Sequence, residues 1–201
     1  MTKIIIIGAG AMGSAFSVPC LDNKNDVTLV GTHLEDDLIE KIKVNKNIHP
    51  VLGVSLQTNL KIEKYEKLSS ILKNQPDIIV AAISSVGIKW FVEQISKHYV
   101  KNLPIVLLTK GLAIVDNEIS TLSEKIKKLL IKKGHEEINI SAIKGPCLAA
   151  GLANRMRTGT VIANPLVREA EKLKKIISTS YYSTEISNDL SGVELSGAIK
   201  N

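Results

Sequence analysis

The chain has 201 residues, a formal net charge of +6, 44% hydrophobic residues and only 3% aromatic ones. That length predicts one good-sized domain with an aliphatic core, and the basic balance favours anionic ligands. Lysines that are scattered or paired (Lys127-Lys128, Lys132-Lys133), with few aromatics for stacking, argue against nucleic acid; two cysteines, Cys20 and Cys147, make neither a disulfide framework nor a zinc site.

Residues 4–7 are four isoleucines, the kind of run that forms a strand buried on both faces. They lead directly into Gly8-Ala9-Gly10-Ala11-Met12-Gly13, then a helical stretch over 12–22 and a second apolar run over 27–30. Strand, glycine turn, helix, strand is the context that makes G-x-G-x-x-G a dinucleotide-binding signal. Gly8 permits the tight turn, Gly10 lets backbone approach a diphosphate, and Gly13 lets the helix pack close to the strand. The helix start then offers N–H groups to the phosphates. The second strand ends Val30-Gly31-Thr32-His33, with no carboxylate before Glu35. No acidic group therefore repels a ribose 2′-phosphate there, Thr32 can hydrogen-bond either cofactor, and the choice between NAD and NADP stays open.

Further along, 34–44 has helical spacing, and 45–59 reads as a polar surface loop in which His49 is solvated. A short helix over 65–73 precedes a buried strand over 78–83. Ser84 and Ser85 follow that strand, where a ligand or a helix N-cap would use them equally well. A strand is predicted over 104–109, then a helix capped by Asp116 with Ile119, Leu122, Ile126 and Leu129 on one face. Next come a strand over 137–143, a helix near 147–156, a strand over 160–163, a helix capped by Asn164 with Pro165 at its first position, a strand over 181–186 and a last helix from 188. Alternating strands and helices predict an α/β fold with a doubly wound, mostly parallel sheet. Met1-Thr2-Lys3 opens straight into a strand, and no apolar run approaches the roughly 20 residues that span a membrane, which predicts a cytoplasmic protein with no membrane insertion.

Three motifs join the glycine turn: Leu108-Thr109-Lys110-Gly111-Leu112, Lys144-Gly145-Pro146-Cys147-Leu148-Ala149, and Gly192-Val193-Glu194 followed by Ala198-Ile199-Lys200-Asn201. In this order and spacing the chain resembles NAD(P)-dependent glycerol-3-phosphate dehydrogenase over essentially its whole length. The resemblance implies a Rossmann-type domain over 1–187 and, from 188, the first helix of an all-helical substrate domain that is otherwise absent. It implies that Gly8, Gly10, Ala11, Met12 and Gly13 form the pyrophosphate loop, that Thr32 meets the adenosine ribose, and that Ala149 contacts the cofactor; Ser84 is assigned to the cofactor by its place at the carboxyl end of a strand. Lys110 matches a lysine touching both cofactor and substrate. Gly145, Cys147 and Asn201 fall on the substrate side, and Lys200 matches the catalytic lysine.

A lysine suits the reaction, because oxidising a secondary alcohol needs a base for the hydroxyl proton and reducing dihydroxyacetone phosphate needs an acid. The chain departs from the family's pattern at Cys147, Gly151, Arg157 and Ser191. The family's helical domain also supplies an acid and an arginine that hold the substrate phosphate. Without them the 201-residue chain is expected to bind cofactor weakly and turn over slowly or not at all. Alternative readings are a cofactor-binding remnant without catalysis and another dehydrogenase of this architecture, such as a ketopantoate reductase-like enzyme. The bare apolar last helix suggests completion by further chain or by a second subunit, a homodimer.

Overall fold

In the computed structural model, which describes residues 1–199, the glycine turn follows an interior strand of a single eight-stranded sheet. Strand β1 (Lys3–Ile7) leads through helix α1 (Ala11–Asp22) to β2 (Asp26–Val30), α2 (Asp36–Val44) and β3 (Lys61–Glu63). The chain then crosses back through α3 (Leu68–Lys73) to β4 (Ile78–Ala81), which pairs with β1 on its other side. Helix α4 (Ile88–Ile95) and β5 (Ile105–Leu107) extend the sheet, and β6 (Leu112–Val115) with β7 (Glu118–Thr121) form a separate hairpin. After α5 (Leu122–Ile131) come β8 (Ile140–Lys144), α6 (Ala149–Ala153), β9 (Thr158–Ala163), α7 (Val167–Ile177), β10 (Tyr182–Ser187) and α8 (Leu190–Ile199).

The sheet order is β10-β9-β8-β5-β4-β1-β2-β3. The order reverses between β1 and β4, which opens the crevice where such sheets take their ligands. All pairings are parallel except β8 with β9. A parallel crossover must carry the chain back along the full strand, and the five residues of α6 rise only about 7.5 Å. Strand β9 therefore returns antiparallel.

The isoleucine run explains the two-layer core. Ile4 and Ile6 face one side with α1, α2, α6 and α7; Ile5 and Ile7 face the other with α3, α4 and α5. Successive strand residues point to opposite faces, so one apolar run feeds both layers. Helix α1 is buried through nearly its whole circumference, from Gly13 to Leu21. It lies under α6 and α7 as well as on the sheet, which accounts for an apolar sequence with no polar stripe.

Three expectations change. Asp116 does not cap a helix. Asp116 and Asn117 have φ of 53° and 66° and form the tip of the β6–β7 hairpin, leaving Ile119 73% exposed. The α5 cap is Thr121, whose hydroxyl accepts from Glu124 N while the Glu124 carboxylate accepts from Thr121 N, a reciprocal capping box. Asn164 does not cap α7 directly either, since α7 begins at Val167. Its buried amide donates to Ile140 O and Ser141 Oγ, and its Oδ1 accepts from Leu166 N, so it ties the end of β9 to the start of β8. The 45–59 segment is a loop, but His49 within it is fully buried, not solvated.

Candidate functional site

The first glycine of the turn is there for geometry. Gly8 has φ of +111°, and a Cβ on it would stand 2.4 Å from the Ala82 carbonyl oxygen. A Cβ on Gly13 would meet Gly8 O at 2.1 Å, so no larger residue lets α1 sit this close to β1. Gly10 is different: its backbone is ordinary extended chain, and the nearest atom to a Cβ there is Glu35 Oε1 at 3.7 Å. No other atom outside its chain neighbours lies within 4 Å of that position, so the space over Gly10 is a cradle that a side chain would occupy and that leaves room beside the backbone for a diphosphate. Ser14 N is bonded back to Gly10 O, which fixes where the helix begins and where the preceding amides of Ala11 and Met12 face.

Ala9 is held on both sides of its Cα, through the N–H of the Gly8–Ala9 peptide and the carbonyl of the Ala9–Gly10 peptide. Its N–H donates to Glu35 Oε2 at 3.1 Å, and the same oxygen accepts from Thr32 N at 2.7 Å. Its carbonyl accepts from Ser14 Oγ at 2.9 Å and lies 3.0 Å from His49 Nε2. The sequence reading found no carboxylate at the end of β2; the structure brings Glu35 back from the start of α2 to that position.

The remaining motifs meet at the carboxyl ends of β4, β5 and β8. A cavity of about 280 Å³ is lined by Met12, Ala82, Lys110, Lys144, Gly145 and Cys147, among others. Thr109 Oγ1 donates to Ile83 O at 2.8 Å, which joins the ends of β4 and β5. Lys144 Nζ donates to Leu107 O at 2.9 Å and to Thr109 O at 2.7 Å, which joins β5 to β8. Lys144 is 4% exposed. Burial pushes its ammonium down to about 8, against the pull of the Glu194 carboxylate and with help from the Lys110 charge. Glu194 itself is buried on α8 and accepts from Ser123 N at 3.2 Å and from Ser123 Oγ, which fastens α8 beside α5.

Of the expected site residues, Met12, Lys110, Gly145 and Cys147 surround this cavity. Gly8, Gly10, Ala11 and Gly13 form the adjoining turn. Thr32 lies on the far side of that turn, bound through Glu35, and does not line the cavity. Ser84 is exposed at the end of β4 and makes no side-chain cap to the single 3-10 turn over 85–87. Ala149 opens α6, which packs on α1. Lys200 and Asn201 lie outside the described residues. Lys144, Glu35 and His49 were not assigned to the site from sequence. Only Lys144 carried a signal, a lysine closing an otherwise buried strand. A larger cavity of about 880 Å³ opens at the amino-terminal ends of the same strands around Asp77, Asn102 and Asn139, and holds none of the expected site residues.

A family model described as the N-terminus of NAD-dependent glycerol-3-phosphate dehydrogenase matches residues 3–170. The chain belongs to this family. It is 36% identical over 198 residues to the NADP(+)-dependent glycerol-3-phosphate dehydrogenase of Archaeoglobus fulgidus, covering 98% of this chain and 57% of that protein. It is 30% identical over 200 residues to the glycerol-3-phosphate dehydrogenase [NAD(P)+] of Mesoplasma florum, covering 99% and 58%. The chain thus spans less than two thirds of the relatives it matches. Among solved structures, the glycerol-3-phosphate dehydrogenase of Coxiella burnetii superposes with a TM-score of 0.83 at 20% identity, over 98% of this chain and 57% of that one. A ketopantoate reductase from Ralstonia eutropha reaches 0.62 at 14% identity over 96% and 58%, which is likeness of fold. The glycerol-3-phosphate dehydrogenase family membership rests on the sequence matches, and the Rossmann-type sheet agrees with it.

Proposed function

We propose that the chain is the dinucleotide-binding part of an oxidoreductase acting on dihydroxyacetone phosphate and sn-glycerol 3-phosphate, with NAD or NADP as cofactor. The observation that carries this reading is that Met12, at the start of α1 just past the open Gly10, lines the same cavity as Lys110 and the Lys144-Gly145 turn. When bound, the dinucleotide supplies or accepts the hydride. The chain's own residues do the rest. Gly8, Gly10, Ala11, Met12 and Gly13 hold the diphosphate at the α1 N-terminus, and Thr32 meets the adenosine ribose. Ser84 and Ala149 contact the cofactor. Lys110 stands between cofactor and substrate and adds positive charge for a phosphate dianion. Gly145, Cys147 and Asn201 bound the substrate, and Lys200 gives its proton to the carbonyl oxygen in reduction and takes it from the hydroxyl in oxidation.

Placement in the cytoplasm and pairing as a homodimer are carried into this proposal from the reading of the sequence, and a role in phospholipid precursor supply from the family resemblance. Among the described residues, no helix is long and apolar enough to cross a membrane. The test is fluorescence titration of the chain with NADH and with NADPH, followed by an assay with dihydroxyacetone phosphate. Saturable binding of either dinucleotide is expected, with turnover slow or undetectable. Failure of both to bind at millimolar concentration removes the reading.

A further inference from the structure

Loop residues 45–59 lie outside the strand–turn–helix unit, yet they place one side chain at its centre. His49 is 0% exposed, in a loop of mixed polar and apolar residues. Its Nδ1 accepts from Val51 N at 3.2 Å and Leu52 N at 3.3 Å. An Nδ1 that accepts twice carries no proton, so the ring proton sits on Nε2 and is donated to Ala9 O at 3.0 Å. The loop is tight where the ring is anchored: His49 N donates to Val54 O, and Gly53 N donates back to His49 O. Leu52, Val54 and Leu56 pack into the core beside it, which fixes the ring's position from behind.

We propose that His49 is a positioning residue for the dinucleotide turn: its imidazole holds the Ala9 carbonyl and so sets the direction in which the Gly10, Ala11 and Met12 amides face the ligand. The inference rests on the dinucleotide-binding reading above. Ser14 Oγ fills the other lone pair of Ala9 O, but it belongs to α1 itself and moves with the turn. Glu35 holds the preceding Gly8–Ala9 peptide through Ala9 N–H. Among the described residues, His49 alone braces the Ala9–Gly10 peptide from a separate segment, while Glu35 holds the peptide before it. With the Ala9 carbonyl held, the Gly10 N–H in the same peptide plane is fixed in direction, and a pre-set array of amides loses less order when it meets a diphosphate.

Two substitutions separate this role from a merely structural one. His49→Gln keeps an N–H where Nε2 stands and can still reach Ala9 O. His49→Asn keeps an acceptor where Nδ1 stands, so it can satisfy the 51–52 amides, but it is too short to reach Ala9. Each variant gives up part of the ring's bonding, and both are expected to lower Tm by similar amounts. NADH titration is expected to show a Kd within about twofold of the parent for Gln and at least fivefold weaker for Asn. In the ligand-free proteins, amide hydrogen exchange over residues 10–13 should quicken in the Asn variant and stay at the parental rate in the Gln variant. Equal affinities in the two variants, or affinities that follow Tm instead of reach to Ala9, overturn the proposal, as does unchanged exchange over the turn in both. If the parent chain binds neither NADH nor NADPH, the dinucleotide reading fails, while the exchange comparison still decides whether His49 braces the turn. If the Asn variant does not fold, the Gln variant decides: parental affinity and exchange support the brace, and loss of either overturns it.

Discussion

Gly197 of α8 rests on the aliphatic stem of Lys144, so closely that a Cβ at 197 would stand 2.9 Å from Lys144 Cδ and 3.0 Å from its Cγ. The stem has nowhere to go. Its root is in β8, and its Nζ is tied to Leu107 O and Thr109 O. One lysine therefore sets both the end of β5, where Lys110 follows, and the seat of the last helix.

Gly197→Ala is accordingly expected to destabilise the protein, although alanine favours helices. Overpacking against a side chain pinned at both ends costs about 1–3 kcal/mol, and the helix propensity gained offsets at most about 1 kcal/mol. Urea denaturation should show a lower midpoint with an unchanged slope. An unchanged or higher midpoint would mean that α8 slides off the stem without penalty.

Lys144→Met keeps the stem and removes the charge. In the folded chain this lysine is pushed down to about 8, below its ordinary 10.5. Between those values the unfolded chain binds the proton and the folded one does not, so stability rises as pH rises through the window and is lost as pH falls through about 8. The parent should therefore gain on the Met variant between pH 8 and pH 9.5, by on the order of 2 kcal/mol. Thermal melts of both proteins across that range give the comparison, and parallel curves would show that the ammonium is not paying a burial cost.

The glycines of the turn should separate fold from ligand. Gly8→Ala, at φ +111° with Ala82 O at 2.4 Å, and Gly13→Ala, with Gly8 O at 2.1 Å, are each expected to cost about 3 kcal/mol or more. Gly10→Ala meets only Glu35 Oε1 at 3.7 Å, and its backbone is already ordinary. It should leave Tm within about 2 °C of the parent, yet weaken NADH binding tenfold or more, about 1.4 kcal/mol. Full affinity in the Gly10 variant would place the diphosphate elsewhere.

Thr121→Ala removes the hydroxyl that accepts from Glu124 N and breaks the capping box of α5. The expected loss is about 1 kcal/mol, measurable by urea denaturation. A loss of this size at Thr121 also tests the hairpin, because an α5 that began near Asp116 would not depend on Thr121.

The sheet was legible because its signals are local. Four isoleucines, a glycine turn and regular strand–helix alternation each follow from a few adjacent residues. Strand β3 was not, because Lys-Ile-Glu has one apolar residue and shows no period; only Ile62 turns inward. The β6–β7 hairpin is masked because Ile119 and Leu122 fall at helical spacing, although Asp116-Asn117 is a two-residue turn signal and Thr121 with Glu124 a capping-box signal. At the site, the glycines and Lys110 were found from motifs. His49 and Glu35 were not, since their roles come from partners 40 and 26 positions away in sequence.

The reversal of β9 and β10 has a directional result. Because these two strands run against the other six, the chain leaves β10 at the floor of the sheet, where Asn188 to Ser191 border the cavity at the strand starts. Helix α8 must then climb, and its ten residues, about 15 Å of rise, bring Gly197 up to Lys144 at the rim. Had the two strands run with the others, the chain would have emerged at the rim and the helix would have descended away from it. Two strands turned upside down make the last helix an arrival at the crevice instead of a departure from it.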